Sequence, residues 1–67
     1  MSGRLIERNG RPQDGDLATT ENYGRVELVG RFEASYETVW VVRTMIEGKL
    51  ELVMEDELSD VGYYFQD

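Results

Sequence analysis

The sequence predicts an all-β fold: a small, strongly curved antiparallel sheet, or a barrel of five to six short strands. Three observations predict it. Residues 25–37 alternate apolar and polar side chains with period two. In residues 38–46, four of nine side chains are valine or isoleucine and two more are threonine, which favours strand over helix. Six of the seven glycines, all but Gly3, stand where turns, bends or element ends are expected.

The elements follow in order. Arg4-Leu5-Ile6-Glu7-Arg8 reads as a short strand. Asn9-Gly10 and Asp14-Gly15 are turn signals, and Pro12 between them limits any return strand. Leu17–Thr20 is a strand of four or five residues, closed by a turn over Glu21–Gly24. In 25–37 the even positions Val26, Leu28, Phe32 and Tyr36 form an apolar face, with Gly30 and Ala34 between them. Thirteen residues exceed a usual strand, so the sequence predicts a bend or bulge at Gly30, or else a reversal near Ala34-Ser35 that splits the run.

From Thr38 to Ile46 both faces are largely apolar. The even side holds Trp40 and Val42, and the odd side Val39, Val41 and Met45. Trp40, Tyr36 and Phe32 share one parity and read as core. Glu47-Gly48-Lys49 reads as a three-residue hairpin connection into a strand over 50–55. A short helical turn is expected at 56–61, ended by Gly62, and Tyr63-Tyr64-Phe65 is expected to close a sheet edge. A flat sheet with a bare apolar face aggregates, whereas closure removes the edges, so an SH3-like small barrel suits the strand count. A three-stranded meander with a C-terminal helix is the alternative.

Length and charge narrow the function. Residues 1–67 read as one small β domain of 7.7 kDa, with a formal net charge of -7. The chain has no Cys and no His. That excludes a disulfide framework, a Cys/His zinc site and a self-contained Ser–His–Asp or Cys–His nucleophile. The acids form no calcium-loop spacing, and the glycines form no phosphate-binding motif. No cofactor, no metal and no enzymatic activity are expected. No apolar run reaches the length of a membrane span or a leader's apolar core, so the expected compartment is the cytoplasm.

The charge is uneven. Residues 1–31 carry five Arg and five acids, and the whole imbalance lies in 32–67, with nine acids against Arg43 and Lys49. This half repels phosphate, so direct nucleic-acid binding by a small barrel is only a lower alternative. The arginines of the first half read as members of solvated ion pairs across strands.

Two functional readings remain. The first is a non-enzymatic protein–protein interaction module. In 67 residues the second apolar face of 39–45 cannot easily be covered by the chain's own elements, so Val39, Val41 and Met45 are expected to contact a homodimer mate or another protein. Tyr63, Tyr64 and Phe65 are three aromatics in a row, so alternation turns at least one outward as an interface anchor. The second is an acidic inhibitor of the kind phages and mobile elements encode, which blocks a basic nucleic-acid groove. Its candidate surface is Glu33, Glu37, Glu51, Glu55, Asp56, Glu57 and Asp60, with Glu27 in the same outward row. Same-face strand residues lie roughly 6.6 Å apart, comparable with successive phosphates of an extended nucleic-acid strand.

Overall fold

The structure is a computed structural model and describes residues 3–66. It is all-β. The strands are β1 (Gly3–Glu7), β2 (Leu17–Thr20), β3 (Gly24–Ala34), β4 (Glu37–Thr44), β5 (Leu50–Met54) and β6 (Ser59–Gln66). All pairings are antiparallel, in one sheet of order β1-β6-β2-β3-β4-β5. The sheet is not closed: β1 and β5 are free edges. Of the expected alternatives, the open antiparallel sheet is the one adopted; the closed barrel and the meander with a C-terminal helix are not.

The sheet nevertheless curls. In a flat sheet β5 would lie four strand spacings, or about 19 Å, from β6. The link from Met54 to Ser59 contains a 3₁₀ turn over Glu55–Glu57. At the ~2 Å rise of such a turn this link spans about 13 Å at most. The chain therefore reaches β6 only because the sheet bends its ends toward each other. Opposed residues of antiparallel strands share a face. The inner face carries the cross-strand pairs Ala18–Val26, Leu28–Val42 and Trp40–Val53, and these six side chains are the buried core. Tyr23, Leu58 and Val61 pack against them.

Two bulges set the details. In β3, Leu28 faces Val42 and Gly30 faces Val41, so Val29 is the extra residue. The strand then reverses at Ser35-Tyr36 into β4. The predicted bulge and the rival reversal both occur, one residue from where each was expected. In β6, Ser59 faces Thr19 and Gly62 faces Leu17, which leaves an extra residue between them. Asp60 takes a φ of 50 there. The bulge lets β6 begin at Ser59, so the helical turn expected at 56–61 is confined to Glu55–Glu57. The expected edge position of Tyr63–Phe65 is also corrected: β6 lies between β1 and β2. The β4–β5 connection spans five residues, 45–49, not three, with Gly48 at φ 71.

Gly62 is a packing glycine. A Cβ there would collide with the Ile6 carbonyl oxygen. Among the described residues, no helix is long and apolar enough to cross a membrane.

Candidate functional site

The outer face of β3–β4–β5 is built by the bulge at Val29. Before it, the even residues Val26 and Leu28 point inward. After it, Arg31 faces Trp40 and Phe32 faces Val39, so the odd residues point inward and the even ones outward. Phe32 is 48% exposed and Tyr36, at the hairpin tip, is 97% exposed. The expectation that both join Trp40 in the core is overturned: of the three, only Trp40 is buried. One inserted residue moves every following side chain to the other face.

Phe32 thus joins Val39 and Val41 of β4 and Leu50, Leu52 and Met54 of β5. Val39, Val41 and Met54 are half-buried by their neighbours, whereas Leu50 and Leu52 are 57% and 61% exposed. Their exposure is highest at the free edge, where the next strand is missing. Val39 and Val41 therefore lie together as expected, but Met45 sits apart in the β4–β5 turn. The 3₁₀ turn does not cover this face, because it packs toward the inner one. Tyr64 lies on the outer face at the far end of the sheet, beside Leu5, its β1 partner. Tyr63 and Phe65 take the opposite face, and Arg8 stacks on the Tyr63 ring at 4.6 Å.

The acidic residues divide between the faces. Glu27 and Glu37 point outward, and Glu33 and Glu51 point inward at the rim. Glu55 follows β5 and turns inward, accepting a hydrogen bond from Trp40 Nε1 at 2.9 Å. The expected single outward row is therefore not formed. Several of these acids already have partners. Arg11 donates to Thr38 Oγ1 at 3.2 Å, to Glu33 at 3.4 Å and to Glu55 at 3.5 Å. The Thr38 hydroxyl donates to Glu33 at 2.8 Å, and this, with the Arg11 and Arg31 charges, holds the Glu33 carboxyl below its usual range. Tyr23 donates to Glu51 at 3.5 Å. Glu37, Asp56, Glu57 and Asp60 make no ion pair among the described residues. A shallow hollow of about 440 Å³ lies beside the hairpin tip, lined by Tyr36, Glu37, Thr38, Met54, Glu55 and Asp56.

Of the first-half arginines, Arg11 forms exposed ion pairs with Glu33 and Glu55, and Arg31 one with Glu33 on its own strand; the pair directly across β3 and β4, Glu27 with Arg43 at 3.8 Å, uses an arginine of the second half. The strongest pair was not legible. Arg8 donates twice to Asp16, at 2.9 and 2.8 Å, and Asp16 is buried. Burial pushes the Asp16 carboxyl up. The Arg8 hydrogen bonds, the Gln13 N–H and the Arg8 charge outweigh it and hold the group below the usual carboxylate range. Asp16 also positions the loop: its carbonyl accepts from Leu28 N–H, and Gly15 N–H donates to the Leu28 carbonyl. Among the described residues, no three acidic side chains gather as a metal-ligand set. No protein-family model, curated protein or solved structure matches the chain.

Proposed function

We propose that this chain is a protein-binding module without chemistry of its own, and that it binds through the outer face of β3–β4–β5. The observation that carries this is the uncovered apolar surface of Phe32, Leu50 and Leu52 beside half-buried Val39, Val41 and Met54. Single exposed apolar residues need no explanation, but a contiguous patch on one sheet face marks a contact surface. Phe32, on the β3 side of the patch, is its aromatic anchor. The acidic surplus around the 3₁₀ turn favours partners of basic or neutral surface and disfavours acidic ones.

The test is affinity capture with the wild type, Leu52→Glu and Val41→Glu. Leu52 is well exposed, so its change leaves folding intact, which Trp40 emission checks. We expect both substitutions to abolish partner capture. Capture unchanged by Leu52→Glu in a folded protein overturns this surface.

A further inference from the structure

Resting on the interaction-module reading, we propose that the β5 edge pairs with the β5 edge of a second copy of this chain, antiparallel about a twofold axis through Leu52. Three observations converge on it. First, the patch is least covered at β5: Leu50 and Leu52 are its most exposed members, and they stand at the free edge of the sheet. A further strand beside β5 gives both an apolar neighbour along the sheet.

Second, this edge has few of the usual devices against pairing. Leu50–Met54 contains no proline, no lysine and no bulge, and its one charge is the inward-pointing Glu51. The other edge, β1, carries Arg4 and Glu7 in five residues.

Third, the charges select a second copy and one register. Slipping the pair by one residue puts inner-face side chains on the outer face, so only registers centred on a residue keep the faces aligned. Centring on Glu51 opposes two carboxylates. Centring on Val53 sets Glu51 against Glu55 of the mate. Centring on Leu52 sets Leu52 against Leu52, Leu50 against Met54, and Glu51 against Val53. No acid then opposes an acid, and the apolar outer residues meet one another. The long-range charge is also tolerable. The outer-face strand positions carry Glu7, Glu27 and Glu37 against Arg25 and Arg43, a net of -1 out of the total of -7. A twofold pairing uses the same edge on both copies, so it closes at two and does not propagate.

Sedimentation velocity of the pure chain tests this, with wild type, Leu52→Glu, Leu52→Lys and an equimolar mixture of the two variants. Trp40 emission and far-UV circular dichroism confirm the fold of each. We expect a wild-type dimer, dissociation constants raised about tenfold or more in each variant alone, and a 1:1 heterodimer restored on mixing. Rescue by mixing requires that position 52 oppose itself across the axis. A wild-type dimer unmoved by either variant, or variants that do not rescue each other, overturns the pairing. A wild-type monomer at ~200 μM also overturns it, since a specific dimer forms well below that concentration. In that case loss of foreign-partner capture in Leu52→Glu still upholds the interaction-module reading, with another protein as occupant.

Discussion

Asp16 shows how much one residue can hold. Its carboxylate is buried, receives two hydrogen bonds from Arg8 and one from the Gln13 N–H, and its backbone pairs with Leu28. Asp16→Asn leaves the Arg8 charge half-satisfied. We expect a loss of about 2 kcal/mol at neutral pH, less than the ~3–5 kcal/mol of fully buried pairs, because Arg8 keeps some contact with water. The pH dependence has a definite sign. The folded-state pKa of Asp16 lies below its unfolded value, so its contribution is fully present above the unfolded carboxylate range, near pH 4. It falls away as pH drops from there through the folded pKa. Thermal melts of wild type and Asp16→Asn should therefore converge in acid and differ most near neutrality. Gly62 is the second case. Gly62→Ala drives a methyl group into the Ile6 carbonyl, so β1 must shift or detach, at about 1–3 kcal/mol. Chemical denaturation measures that loss.

Among the elements, the β3 bulge decides most. It separates an alternation that reads cleanly in sequence into an inward half and an outward half. Deleting Val29 removes the extra residue and leaves plain alternation: Gly30 still faces Val41, Arg31 stays inward by the Trp40 ring, over which its guanidinium lies at 5.8 Å, and Phe32 stays outward. We expect the deletion variant to fold with a Trp40 emission close to that of wild type. Val29→Ala keeps the bulge and costs under ~1 kcal/mol, because the side chain is partly exposed. A red-shifted Trp40 emission in the deletion variant would mean that the bulge itself, and not the pairing on either side of it, places these side chains. The 3₁₀ turn is the other deciding element. It is too short to cross a flat sheet, so it ties the curl of the sheet to the Trp40–Glu55 hydrogen bond.

Across the whole molecule, charge and apolar surface are segregated. The apolar patch occupies the outer face of one end of the sheet. Much of the acidic surplus sits in the rim, loops and 3₁₀ turn. Crowding of like charge over residues 51–60 opposes folding. Raising salt from ~10 mM to ~150 mM shortens the screening length from about 30 to about 8 Å. We expect the melting temperature to rise by a few degrees as this repulsion is screened, measured by calorimetry at fixed protein concentration. A fall would mean that the surface ion pairs, Glu27–Arg43 among them, outweigh the repulsion.

Sequence alone determined the all-β class, the strand at 17–20, the turn at 21–24 and the burial of Trp40. It also singled out Val39 and Val41 as an apolar pair on a face away from the core. These follow from local chemistry: period-two alternation, β-branched runs and glycines at positive φ are written in neighbouring residues. Tertiary structure alone decided that Phe32 leaves the core, that Leu52 and Met54 complete the patch, that β6 lies inside the sheet and that Asp16 is buried. The reason is that pairing register and bulges depend on partners distant in sequence. Residue parity is a reliable guide only until the first inserted residue, and here that residue, Val29, carries the outward turn of the surface we propose as the binding face.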